Sequence, residues 1–349
     1  MHEVVGNLHI HSHYSDGRGS IADIAVQAEK AALDFVIITD HNTLQGKHKG
    51  EEAYYGNVLV LIGMEVNTEA HHYLALGVEH EVPENDDDPQ QVINEVNRQQ
   101  GWGGIAHPFE KGSPLYRNSL CFPWTDWGVS GFQGIEIWNY LSQWKDSIHT
   151  IPQGIYRLFF PHSAFRAACQ PALEQWDIYL QKGEKVLAFG GSDAHDVKVK
   201  CKTWLPSFTI SSYQKCFRSI TTHLLLSNAL TGRFEHDASL IYESLHRGCS
   251  WTAYDYFQSS RGFQFYMQSP AAIAQMGERI ALHKNLEAHI YTPARAEVHL
   301  YHDGKLWDKS HGKQHVFTNI QSGVYRVEVW HRVRGIKRAW IYSNPIWVS

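Results

Sequence analysis

The chain lacks any run of 18 uninterrupted apolar residues and any CxxC pair. The first absence leaves no candidate for a membrane-spanning helix. The second removes the usual zinc-ribbon and dithiol motifs. The cysteines, Cys121, Cys169, Cys201, Cys216 and Cys249, are scattered and odd in number, which suits a reduced, cytoplasmic protein better than a disulfide scaffold. The opening Met1-His-Glu-Val-Val-Gly has neither the basic nor the apolar region of a secretory signal. There is no GxSxG elbow, Walker A loop or dinucleotide fingerprint. Positive charge is also short: residues 1–262 hold 20 Lys+Arg against 30 Asp+Glu, so this part offers no basic face for nucleic acid. Residues 263–349 hold 11 against 6, an excess too small to indicate a partner. What is abundant is histidine, with 23 copies, the commonest metal ligand among side chains.

Strand and helix signals alternate through the first part. Val4–Ile10, Phe35–Thr39, Val58–Met64, Tyr73–Leu76, Gly104–Ala106, Ile135–Trp138, Val186–Phe189 and Leu205–Ile210 read as strands. Helices are expected over 20–33, capped by Ser20, from Asp88-Pro89 to about Gln100, and over 214–231 and 238–247. The acidic run Asp86–Asp88 reads as a solvated helix entry. Residues 111–182, rich in tryptophan, read as helices and loops covering one end of the fold, in the manner of a lid or insertion. Alternating strands and helices predict an α/β architecture with parallel pairing, and about 260 residues suits a TIM-like β/α barrel over 1–262. From 263 the pattern changes to short alternating runs such as Glu297–Tyr301 and Tyr325–Trp330, split by turns such as His302-Asp303-Gly304-Lys305. This predicts a small all-β, sandwich-like domain over 263–349.

The chemistry-bearing residues recur at strand ends. His9-Ile-His11 places two imidazoles on one face of a strand, with Asp16 in the following loop. Phe35–Thr39 runs into Asp40-His41, Val58–Ile62 into Gly63-Met64-Glu65, Gly104–Ala106 into His107-Pro108, and Val186–Phe189 into Gly-Gly-Ser-Asp193-Ala-His195. His72 opens Tyr73-Leu-Ala-Leu. Carboxyl ends of barrel strands are where such folds build active sites.

The segments NLHIHSHYSDG, IITDHN, GMEVNTEAHHYLALG, IAHP and GGSDAH, in this order, resemble the polymerase-and-histidinol-phosphatase (PHP) family of metal-dependent phosphoesterases. The C-terminal RAWIYSNPIWVS resembles the branch that includes carbaryl-type carbamate hydrolases. The resemblance implies a distorted β/α barrel, of the PHP type, holding three divalent ions. His9, His11, Glu65 and Asp193 would bind the first, Glu65, His72 and His107 the second, and Asp16, His41 and His195 the third. His71 competes with His72; the family places its histidine directly before the strand, which selects His72. Six imidazoles and three carboxylates suit Zn, Mn or Fe. The implied reaction is attack on a phosphate ester by a hydroxide bridging two of the ions, with Glu65 as the bridging ligand.

Further candidates are His13, which shares the parity of His9 and His11 if the strand continues and would touch substrate or donate a proton, and Arg18 and Lys111, which would bind phosphate. Asp40 would orient a ligand from behind. Glu136 and Asn139 end another strand and would line the same mouth or serve its packing. The expectation is a small-molecule substrate, with neither nucleic acid nor membrane as partner. The same donors would serve a carbamate, ester or amide substrate. An amidohydrolase-superfamily enzyme, which also begins with HxH, and a non-catalytic binding module are the remaining alternatives.

Overall fold

The computed structural model describes residues 1–199, 208, 209 and 211–349. Cys201 and most of the expected strand Leu205–Ile210 lie outside the described residues; Phe208–Thr209 pairs antiparallel with Lys198–Val199.

Seven strands close a barrel: β1 (His2–Ile10), β2 (Phe35–His41), β3 (Val58–Asn67), β4 (His72–Leu76), β5 (Trp102–Ile105), β6 (Gly134–Asn139) and β7 (Leu187–Ala194). Each pairs with the next, and β7 returns to β1. All pairings are parallel except those of β4, which runs against both neighbours. This inversion matters for the site. A ligand at the start of β4 stands at the same end of the barrel as ligands at the carboxyl ends of the other strands.

Alternation sorts the side chains. Phe35 and Ile37, Leu59 and Leu61, Leu74 and Leu76 join Leu8, Trp102 and Phe189 in the barrel interior. Val36 and Ile38, Val58 and Val60 pack outward against the surrounding helices. The helix Phe234–Arg247 adds Leu240, Ile241 and Leu245 to the interior cluster, and Gly248 ends it with a left-handed cap. Ile21–Lys30 opens with a capping box between Ser20 and Asp23. In Pro89–Arg98, Asp88 caps the Gln90 amide, as the sequence pattern indicated.

One expected helix is corrected. Residues 214–231 do not form a single helix: Tyr213–Phe217 is helical, and Ile220–Leu226 is a strand. Its β-branched opening, Ile-Thr-Thr, favours extended backbone. The strand also satisfies two neighbours at once, pairing antiparallel with the first half of β1 and with Ser250–Tyr254.

Beyond residue 263 the described chain is strand and turn, dominated by Glu287–His302, Lys305–Phe317, Gly323–Val333 and Ile336–Ser343. The His302–Lys305 hairpin turns through Asp303 and Gly304, both at positive φ. These strands enclose their own core of residues such as Phe265, Val298, Val327 and Trp340. Ser250–Tyr254 pairs with Ile336–Ser343, so hydrogen bonding runs unbroken from the barrel into the C-terminal strands. Across the same junction Arg326 grips Asp177 with two bonds of 2.7 Å.

Candidate active site

Glu65 sits at the centre of one end of the barrel, fully buried near the end of β3. Its two oxygens face different partners. Oε2 lies 3.1 Å from His9 Nε2, 3.2 Å from His11 Nε2 and 3.2 Å from His41 Nδ1. Oε1 lies 2.9 Å from His72 Nδ1 and 3.2 Å from His107 Nε2. Asp193 Oδ1 approaches His11 Nε2 at 3.3 Å and His9 Nε2 at 3.6 Å. Towards solvent, Asp16 Oδ1 lies 3.0 Å from His195 Nε2 and 3.6 Å from His41 Nε2. All nine candidate ligands therefore converge on one end of the barrel, and subsets of them bring donor atoms within 4.8 Å of one another.

The backbone achieves this by breaking strand geometry. His9 has φ 68°, and the β1–β7 register shifts between Leu8 and Ile10. Leu8 points into the barrel core and Ile10 outward. The irregularity at His9 turns its ring inward as well, so the face that His9 and His11 share looks into the barrel and not outward, opposite the extra residue that β7 inserts between Gly191 and Ala194. β1 ends at Ile10, so its parity does not carry to His13. His13 is exposed and packs its ring on Tyr14. Asp193 and His107, at φ 52° and 26°, break regular geometry in the same way.

Supporting contacts fix the cluster. Glu136 approaches His9 Nδ1 at 3.1 Å, accepts the His107 amide at 2.7 Å and accepts the Asn139 amide group at 3.0 Å. Asn139 in turn caps the helix Tyr140–Asp146. Asp40 does not touch a ligand ring. Its carboxylate accepts from Ser12 N, Ser12 Oγ and Ser15 Oγ at 2.6–2.7 Å, holding the loop that carries Asp16. His71 turns away to Thr125 and Trp124, whereas His72 stacks on Phe122.

The charges are strongly coupled. Burial opposes charging His9, but Glu65, Glu136 and Asp193 outweigh it and raise its pKa. His11 is raised against its burial to about 10 by Asp193 and Glu65, and His107 to about 9, chiefly by Glu65. Burial and neighbouring His11 push His41 down to about 3. Glu65 and Asp193 are held well below the usual carboxylate range despite their burial, by the surrounding rings.

Such a cluster fits divalent cations. Buried donor atoms lack hydrogen-bond partners among the described residues, including His9 Nε2, both ring nitrogens of His11, Glu65 Oε2 and His72 Nε2. Uncompensated buried polar atoms are costly, and imidazole with carboxylate is a donor set for transition metals.

The cluster opens into a cavity of about 570 Å³. Arg18 stands at its edge; Lys111 is exposed and not among the lining residues, with its amide bonded to Asp146. The sequence reading missed two lining residues, Glu110 and Lys145, which form a close ion pair with little exposure. Glu110 also accepts from Ser142 Oγ and the Phe122 amide. Glu110 stands three residues after His107, a faint signal; Lys145 lies within 111–182, where no motif marks it.

The PHP domain family model matches residues 7–119. An uncharacterized protein of Methanocaldococcus jannaschii is 30% identical over 116 residues, 30% of this chain and 67% of that protein. The chain belongs to the PHP family. Among solved structures, a two-domain protein of Bacteroides vulgatus containing a predicted PHP-like metal-dependent phosphoesterase aligns over 99% of this chain and 95% of its own, at 14% identity and TM-score 0.47. An amidohydrolase of Chromobacterium violaceum aligns over 54% and 87%, at 14% identity and TM-score 0.33. Within this PHP chain the matched segment holds seven of the nine candidate ligands; Asp193 and His195 join them from β7 and the residues after it.

Proposed function

We propose that this PHP protein is a metal-dependent hydrolase of phosphate esters that works with three divalent ions. The observation that carries this reading is Glu65, whose oxygens each face a separate group of histidines, as a carboxylate shared by two ions requires. His9, His11, Glu65 and Asp193 would hold one ion, Glu65, His72 and His107 a second, and Asp16, His41 and His195 a third. The ions, when bound, supply positive charge for the ester oxygens and water of lowered pKa. Around them the chain's own groups have separate tasks. Glu136 keeps a proton on His9 Nδ1 and leaves Nε2 as donor. Arg18 faces the anionic oxygens from the edge, and an apolar wall formed along the cavity by Leu115, Leu120, Phe122, Leu141, Trp144 and Leu158 limits water. Residues 263–349 are a supporting domain in this reading.

A second reading, hydrolysis of a carbamate or carboxylic ester by the same donors, is favoured by the apolar character of that wall. Protein purified without chelator should carry more than two equivalents of transition metal. It should hydrolyse p-nitrophenyl phosphate or bis-p-nitrophenyl phosphate. Turnover of a naphthyl carbamate alone would overturn the phosphoesterase reading in favour of the second.

A further inference from the structure

The cavity has two unlike halves. One is the ligand cluster. The other is built by the section 113–158 and is apolar, with Leu115, Leu120, Phe122, Leu141, Trp144 and Leu158 along it. Two of its polar groups are already engaged: Ser113 Oγ donates to the Ile148 carbonyl at 2.6 Å, and Lys145 is paired with Glu110. A substrate rich in hydroxyl groups, such as a sugar phosphate, would meet few partners here and would lose hydration on entering. Leu115 and Leu120 are 50% and 38% exposed, surface that an apolar group would cover. The apolar character continues outside. The helix Ile151–Phe159 turns Gly154 and Leu158 to the cavity and carries exposed Ile151 and Ile155, four residues apart, on its surface.

Resting on the hydrolase reading above, we propose that the substrate is an ester with an anionic head and an extended apolar alcohol portion, alkyl or aryl. The head sits at the ligand cluster and the apolar portion lies along the 113–158 wall towards the Ile151–Phe159 helix. The reaction remains a hydrolysis. A water oxygen joins phosphorus, the bond from phosphorus to the alcohol oxygen breaks, and the proton lost by water ends on the released alcohol.

Alkylphosphonates test this directly, because they carry the head and chain without the scissile bond. Calorimetry on the metal-loaded protein, below micelle-forming concentrations, would compare methyl-, butyl- and octylphosphonate. Affinity should rise roughly three- to fourfold per methylene buried. Leu115→Ser and Leu120→Ser lie at exposed positions where folding is not at stake, and should each lower the octyl-to-methyl affinity ratio severalfold. Equal affinity for methyl and octyl, or an unchanged ratio in both variants, would overturn the proposal. If small phosphate esters turn over while chain length has no effect, the hydrolase reading survives and this inference fails. If affinity climbs with chain length but no ester is cleaved, this inference about the wall survives and the hydrolase reading fails.

Discussion

Glu136 Oε1 lies 3.1 Å from His9 Nδ1, with both side chains sealed from solvent. The same carboxylate receives the backbone amide of His107. One residue thus orients a candidate ligand on β1 and fixes the start of the segment that carries another. Partners of this kind typically change metal affinity by about 10–100-fold when altered. Glu136→Gln should weaken metal binding within that range while the fold persists, read by metal titration with a circular dichroism control. Undiminished affinity would show that Glu136 serves packing alone.

Glu65 and Asp16 should behave differently. Glu65→Ala removes a carboxylate facing five histidines, whereas Asp16→Ala removes one facing His195 and His41 and, at 3.9 Å, the edge of His11. Metal content should fall by more than one equivalent in the first variant and by about one in the second. Ester hydrolysis in Glu65→Ala should drop more than about a hundredfold. Equal metal content in the two variants would contradict the shared role given to Glu65.

Asp40 is expected to act through the loop. Its three short hydrogen bonds tie Ser12 and Ser15 to the end of β2. Asp40→Ala should cost roughly 3 kcal/mol in urea unfolding, since bonds to a charged acceptor are the stronger kind. It should also weaken the metal held with Asp16 more than the metals held at Glu65. A uniform loss at every metal would point to general unfolding instead.

His223 gives a pH-dependent prediction far from the cluster. Burial opposes its charge, but Asp255 and Glu3, at 2.8 and 2.7 Å, outweigh it and raise its pKa above the ordinary 6.5. A group raised on folding stabilises fully below its unfolded pKa, and the effect fades as pH rises through the folded value. Asp255, lowered from 3.8 against its own burial by His223, contributes above its unfolded pKa and loses that contribution in acid. The pair is therefore strongest between about pH 4 and 6.5. The stability difference between the unaltered protein and His223→Asn should be larger at pH 5.5 than at pH 9; the opposite slope would refute the assignment.

Much of this was legible because metal sites need chemically distinct residues at fixed places. Glu65, His107 and His195 announced themselves after apolar strands. His72 stood at the wrong end of its strand by that rule, and only the inversion of β4 explains why its ring joins the others. The pairing of His9 with His11 was visible, but that their shared face looks inward depends on a long-range register break that local spacing does not encode. Ile220–Leu226 was misread because its extended form is decided by β1 and Ser250–Tyr254, neither of which is a sequence neighbour. Lys145 and the apolar wall were invisible for a related reason: a leucine that lines a cavity has the same sequence appearance as one in a core.

His9, His107 and Asp193 all hold positive φ, a backbone state that side chains with a Cβ disfavour by about 1–3 kcal/mol each. Glycine would relieve that strain and remove the donor at the same position. The cluster is therefore a place where thermal hardiness and the proposed ion binding would pull on the same codons. Selection for heat resistance in metal-poor medium would drift Asp193 towards glycine, and a supply of ions would reverse the preference by favouring the folded, loaded form.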